Sequence, residues 1–285
     1  MRKDEHYVRI AIVGAQGMLG SDLRAHLASE QQVIGTDIDD FDITNQEETL
    51  GALIQIKPAW VINVAAYTQV DRCEENSEQA FQVNAAGVKN LALACKEIRA
   101  KLLHVSTDYV FDGKAKKPYR EDDALNPLSV YGQSKSEGET AVQNILGDFI
   151  IVRTGGLYGK GGGNFVNTIV KMAQERDELT VVNDQWVSPT YTVDLSKAIG
   201  TLVNLSANGI FHVVNRGHCT WYEFACAIIE HTGSTSRVIP ISSEHYNRPA
   251  PRPAFGVLDC RRFTAVTKTT MRPWKEALCE YLSLL

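Results

Sequence analysis

Apolar positions along the chain alternate between two periods. Residues 7–13 (YVRIAIV) form a short run rich in β-branched side chains, the mark of a strand. Behind it a glycine cluster opens a helical pattern through Leu19, Leu23 and Leu27, spaced so that all three share one face. The alternation recurs as VIGTD with a helix over 45–56, WVINVAA with a long helix over 77–99, KLLHVST with a helix from about 127, and then FIIVR. Near-continuous apolar strands divided by amphipathic helices predict a parallel sheet covered on both faces, so the first half is doubly wound α/β.

After Arg153 the rhythm changes. GGLYGKGGGN leads to a helix over 164–175, the strand-like LTVVND, a helix over 191–204 and the strand IFHVV. A segment rich in proline and arginine follows (YNRPAPRPAFG), then a terminal helix from Pro273. The pattern predicts a smaller, partly interleaved α/β cap. Residues 1–155 plus roughly 190–216 form the sheet domain, and roughly 156–189 plus 217–285 form the cap. On composition alone the proline-rich segment reads as a linker.

Composition narrows the partners. With 285 residues, 44% apolar and 22% charged, the chain is globular, and its net charge of −5 with dispersed Lys and Arg argues against nucleic acid. No run approaches the roughly 20 apolar residues of a membrane span, and MRKDEHYVRI has no apolar signal core. The expectation is a soluble, cytoplasmic protein without a membrane partner. Six cysteines without a C-x-x-C pair, and histidines without ligand spacing, suggest neither disulfides nor a metal.

Candidate chemistry begins at the glycine cluster. Gly14, Gly17 and Gly20 stand between the first strand and first helix, with Met18 and Leu19 opening that helix. A dinucleotide pyrophosphate needs bare backbone and a helix N-terminus at that place, as in a Rossmann-type fold. Asp37 ends the second strand about 20 residues on, where a carboxylate can bond an adenosine ribose hydroxyl. That carboxylate repels a 2′-phosphate and so favours NAD over NADP. Asp42 and Ile43 either bracket the adenine or form a solvated loop.

Tyr131 is the one tyrosine with a lysine four residues later, Lys135, in NPLSVYGQSK. Asn126 is placed to cap that helix, with Pro127 in its first turn. An ammonium near the phenol lowers its pKa and makes it a usable general acid, although the same spacing also arises in ordinary surface helix pairs. The fourth strand brings Ser106, Thr107 and Asp108 to the carboxyl edge of the sheet, where open α/β folds place ligands.

In order along the chain, GAQGMLG, NVAAYTQVD, VNAAGVKNL, STDYVF, NPLSVYGQSKSEGE, VRTGGLYG, VNDQWVSPTYTVDL, RPAPRP and RPWKEAL resemble the dTDP-4-dehydrorhamnose reductase family of the extended short-chain dehydrogenase/reductases. The resemblance implies reduction of a 4-keto sugar nucleotide, dTDP-linked, by NADPH or NADH. Tyr131 then protonates the carbonyl oxygen, Lys135 lowers its pKa and holds the nicotinamide ribose, and Thr107 positions the carbonyl. Ala65, Ala66, Tyr67, Thr68 and Asn84 fall on the cofactor-contacting segments, and Asp108, Trp186 and Arg252 on the substrate side. Arg248 and Arg252 are the candidates for the substrate diphosphate, Arg252 first. The cap becomes a substrate-binding cap, and a homodimer is compatible with the family.

Related 4,6-dehydratases need an Asp-Glu pair after the threonine. Here Thr107, Asp108 and Tyr109 follow one another, which favours reduction over elimination. Gly156 stands where the family commonly has a tryptophan packed on the sugar, and Trp186 is the candidate replacement. Rival readings are a sugar-nucleotide epimerase and a non-catalytic regulatory subunit similar to the methionine adenosyltransferase β subunit.

Overall fold

A computed structural model describes residues 8–285. The predicted first strand begins one residue earlier, so its Tyr7 lies outside the described residues. In the first half β1 (Arg9–Val13), α1 (Met18–Leu27), β2 (Gln32–Thr36), α2 (Gln46–Ile56) and β3 (Trp60–Asn63) alternate. Next come α3 (Val70–Glu75), α4 (Ser77–Phe81), α5 (Val88–Ile98), β4 (Lys101–Thr107), α6 (Val130–Ile145) and β5 (Phe149–Thr154). The second half contains β6 (Leu157–Tyr158), α7 (Phe165–Glu175), β7 (Glu178–Val182), β8 (Trp186–Val187), β9 (Thr190–Tyr191), α8 (Thr192–Asn204) and β10 (Gly209–His212). It ends with β11 (Cys219–Thr220), α9 (Trp221–Thr232), β12 (Arg237–Ile241), α10 (Ser243–Tyr246), α11 (Arg261–Thr267) and α12 (Trp274–Leu282).

The main sheet has the order β10-β5-β4-β3-β1-β2, and every pairing in it is parallel. The fold is the predicted doubly wound one of Rossmann type, with the strand order reversing between β1 and β3. One face of the sheet packs under α1 and α8 through Leu19, Leu23, Leu195 and Ile199. The other packs under α2, α5 and α6 through Leu53, Val88, Leu91 and Val142. After the excursion through β6, α7 and β7, the chain returns in α8 and lays β10 on the free edge of β5. A separate core of Tyr158, Tyr191, Phe224, Trp274 and Tyr281 joins α7, α9 and α12.

Three local readings change. The long helix over 77–99 is interrupted by a π-helical turn at Gln82–Gly87. α6 starts at Val130, because Ser129 is extended and its hydroxyl accepts from Gly132 N–H at 3.2 Å. Asn126, expected as that cap, instead donates to Asp112. α9 was not expected, although Thr220 and Glu223 form the reciprocal cap that marks its start. No helix among the described residues is long and apolar enough to cross a membrane.

Candidate active site

The carboxyl ends of β1, β3, β4 and β5 open onto a cleft of about 700 Å³, closed from the other side by residues 155–165, 185–187, Trp221 and 252–253. Its floor at one end is the glycine loop. Gly14, Gly17, Met18, Leu19 and Gly20 all line it. Gly14 has φ +85°, and a Cβ there would lie 2.6 Å from Ala65 N, so the turn admits no side chain. No side chain caps α1 at Gly17, so its first N–H groups are left for a ligand anion. Asp37 closes the loop from β2: Gln16 N–H donates to its Oδ2 at 2.9 Å and Ile38 N–H to its Oδ1 at 3.0 Å.

Asp42 and Ile43 lie elsewhere. Asp42 Oδ1 accepts from Thr44 N–H at 2.8 Å, and Ile43 is buried in the core beneath α5. Neither lines the cleft, because the turn into α2 needs one and the core takes the other.

Ala66 and Thr68 line the cleft beyond β3, whereas Ala65 and Tyr67 do not. Asn84 is fully buried and does the holding: Tyr67 N–H donates to its Oδ1 (2.8 Å), and its Nδ2 donates to Tyr67 O (3.1 Å) and Ser134 Oγ (3.1 Å). The π-helical turn carries Asn84, and the extra residue of such a turn shifts a side chain relative to a regular helix. Asn84 therefore shapes the 65–68 segment rather than touching the cleft.

Tyr131 and Lys135 sit one turn apart on α6, and both reach the cleft. Lys135 Nζ donates to Val105 O at 2.7 Å and lies 3.3 Å from His104 Nε2, with Asn63 on the far side of that ring. Burial lowers the Lys135 pKa to about 8, against the pull of Glu139. Burial, then Lys135, holds His104 neutral well below its usual range. Burial also pushes the Tyr131 phenol well above the usual tyrosine range, opposed by the Thr107 hydroxyl beside it. The lowering expected of Lys135 is absent from this arrangement, since its ammonium is turned to the strand backbone.

Thr107 and Asp108 end β4. Thr107 Oγ1 lies 3.1 Å from Asp108 Oδ1 and accepts from Tyr109 N–H at 3.2 Å. Burial raises the Asp108 carboxyl to about 7, against its hydrogen bond to Thr107. Beside them Ser106 and Thr154 line the cleft, and their buried hydroxyls have no hydrogen-bond partner among the described residues. Buried hydroxyls are normally bonded, so these two are exceptions in the structure.

Arg252 enters from the proline-rich segment and makes a two-pronged pair with Asp71 of α3, both distances 2.9 Å. That hydrogen bond lowers the Asp71 pKa. Arg248 stacks near Tyr246 at the mouth of a second cavity, which shares Tyr109, Phe165, Gln185, Trp221 and Arg252 with the cleft. Trp186 is 38% exposed and lines the cleft, its ring edge-on to His218. Gly156 has φ +56°, with Val187 packed where a Cβ would go, so an aromatic residue at 156 meets both strain and crowding. The sequence reading missed Asp71, Phe165, Trp221, His104 and Thr154. Of these, Asp71 lay inside the motif NVAAYTQVD and Thr154 inside VRTGGLYG.

The sheet order, the uncapped helix behind a glycine turn and the hydroxyls at the strand ends define a Rossmann-type protein with a nucleotide-binding cleft. Residues 8–285 match the family model described as RmlD substrate binding domain, and the chain belongs to that family. It is 42% identical over 277 residues to the spore coat polysaccharide biosynthesis protein SpsK of Bacillus subtilis, covering 96% of each chain. It is 37% identical to a dTDP-4-keto-6-deoxy-D-glucose reductase of Streptomyces niveus, covering 97% of each. A crystal structure of dTDP-4-dehydrorhamnose reductase from Bacillus anthracis in complex with NADP superposes with TM-score 0.95 at 37% identity, covering 98% of this chain and all of that one (100%).

Proposed function

We propose that the chain reduces the C4 keto group of a dTDP-linked deoxysugar nucleotide, dTDP-4-dehydro-L-rhamnose first, with NADPH or NADH, in the synthesis of a polysaccharide precursor. The observation that carries the reading is the meeting of Thr107, Tyr131 and Lys135 at the end of β4, in the same cleft as the uncapped glycine loop. The relatives' names point the same way.

The residues present fit a nicotinamide dinucleotide. The bare glycine turn and the first N–H groups of α1 suit its pyrophosphate, Asp37 a ribose hydroxyl, and Lys135 the second ribose. Ser106 and Thr154 offer two unspent hydroxyls at the sheet edge. The bound cofactor supplies the hydride. Thr107 and Tyr131 bind and orient the carbonyl oxygen, and Tyr131 delivers the proton that completes the alcohol. Lys135 lines the same cleft one turn along α6 from Tyr131, and in this reading its ammonium turns from the Val105 carbonyl toward the ribose and the phenolate.

In this reading residues 1–155 plus roughly 190–216 hold the cofactor, and roughly 156–189 plus 217–285 cover the sugar nucleotide. Arg252 faces the diphosphate and Trp186 the sugar. A reduced dinucleotide and six free thiols suit a cytoplasmic setting.

The test is cofactor oxidation by the purified protein with enzymatically generated dTDP-4-dehydro-L-rhamnose, the product identified by mass and sugar analysis. Turnover to dTDP-L-rhamnose supports the reading. One second reading is a close relative such as dTDP-4-keto-6-deoxy-D-glucose, the sugar named for the Streptomyces niveus relative, because Gly156 presents no side chain to pack on the sugar. Turnover of that sugar alone selects it. Cofactor retained through purification with interconversion of sugars selects an epimerase.

A further inference from the structure

We propose that Asp108 is a positioning residue for the reduction: as a neutral acid it donates to Thr107, and so frees the Thr107 hydroxyl proton for the substrate carbonyl. The inference rests on the reading of Thr107 and Tyr131 above.

The argument is an accounting of protons at Thr107. A hydroxyl has one proton and two acceptor positions. Thr107 Oγ1 already accepts from Tyr109 N–H; Asp108 Oδ1 lies 3.1 Å away, and the Tyr131 phenol, whose own proton is kept for the substrate, stands beside it. An ionised Asp108 is only an acceptor, so it takes the single Thr107 proton and leaves none for a substrate. A neutral Asp108 reverses that bond. Both acceptor positions of Thr107 are then filled, by Tyr109 N–H and the carboxyl O–H, and its proton is directed into the cleft. The Thr107 and Tyr131 protons now converge on one carbonyl oxygen, and the Asp108 proton stays where it is.

The surroundings favour the neutral carboxyl over the ionised one. Asp108 is 4% exposed and forms no ion pair among the described residues. From the end of β5, Gly155 approaches so closely that a Cβ there would lie 2.9 Å from Asp108 Oδ1; from the cap, one at Gly256 would lie 2.4 Å from Oδ2. The carboxyl is thus clamped between two stretches of bare backbone. The titratable groups facing it are the phenols of Tyr109, on its own segment, and Tyr131, on α6, each uncharged at neutral pH. The nearest cation of the cap, Arg252, is engaged with Asp71. Burial raises the Asp108 pKa to about 7, in keeping with this placement.

The experiment is the pH dependence of kcat/KM with NADPH and the 4-keto sugar nucleotide, for the wild type, Asp108→Asn, Asp108→Ala and Thr107→Val. The wild type is expected to lose activity as pH rises through Asp108's titration. Asp108→Asn, whose amide still donates, is expected to lose that inflection and to exceed Asp108→Ala by about 10-fold or more. The infrared C=O band of a protonated carboxyl is expected in the wild type below the inflection and not in Asp108→Asn. An unchanged inflection in Asp108→Asn, or activity as low as that of Asp108→Ala, overturns the inference. If Asp108→Ala does not fold, the Asn and wild-type profiles with the infrared band still decide. A fully active Thr107→Val overturns the underlying reading of Thr107. An impaired Thr107→Val beside an unchanged Asp108→Asn profile overturns the role of Asp108 alone.

Discussion

At the scale of single residues, the cleft gathers buried polar groups at the strand ends. Tyr131→Phe removes the proton donor and leaves the packing intact, so turnover is expected to fall by about 10² or more while the Kd for NADPH, read by fluorescence titration, stays the same. Stability carries a separate signature from Asp108. Its carboxyl titrates near 7 in the folded protein against an ordinary 3.8, so between those values the folded state holds more protons than the unfolded one. Its contribution is therefore full below about 4 and lost as pH rises through 7. Asp108→Asn removes that loss, and its melting temperature is expected to gain on the wild type as pH rises from about 4 to about 7 and to hold that gain above it. Tyr131, Lys135, Thr107 and the glycine loop could be picked out in the sequence because each pairs a chemical side chain with a strand end or helix start close by in the chain. Ser106 and Thr154 carried no such signal for their state: that their hydroxyls lack partners depends on what β4 and β5 place beside them, with Thr107 opposite Thr154.

At the scale of elements, α6 is the part that turns sequence into a site. It carries Tyr131 and Lys135 toward the cleft, and one turn later Glu139, which is fully buried. Arg153 of β5 meets that carboxylate with two nitrogens, Nε at 3.0 Å and Nη2 at 2.7 Å, and stacks its guanidinium near Phe111. The pair ties α6 to the strand beside Thr107. Removing one partner leaves a buried charge alone, so Glu139→Ala is expected to lower stability by about 3–5 kcal/mol in urea unfolding, with turnover falling because α6 loses its anchor. The helix itself follows from its pattern, but its first residue does not. Asn126 and Ser129 are both capping residues, and the choice fell to Ser129 because Asn126 is drawn to Asp112. The π-helical turn at Gln82–Gly87 was equally hidden, since hydrophobic spacing over 77–99 fits a regular helix; it is set by Asn84 reaching Tyr67 and Ser134.

At the scale of the whole molecule, the cleft exists because the chain leaves the sheet after β5 and returns to it in α8 and β10. The strand alternation made the sheet readable. The small strands did not stand out, because β8 and β11 are two residues each and owe their place to each other. For the same reason Phe165, Trp221 and Asp71, which come from three separate elements, could not be foreseen as neighbours of Arg252. The proline-rich segment read as a linker by composition, yet it delivers Arg252 to α3, where a two-pronged pair with Asp71 joins cap to sheet. A guanidinium placed this way can exchange one carboxylate for the oxygens of a diphosphate with its geometry unchanged, whereas an ammonium offers no matching fork. Arg252→Ala is therefore expected to raise KM for the sugar nucleotide by about 10- to 100-fold, the equivalent of about 1.5–3 kcal/mol for a charged hydrogen bond, with the Kd for NADPH unchanged. Arg252→Lys is expected to recover little of that loss. Steady-state kinetics with the sugar nucleotide varied at saturating NADPH measures it. A KM unmoved by both substitutions would assign Arg252 to holding the cap and leave the diphosphate to other groups.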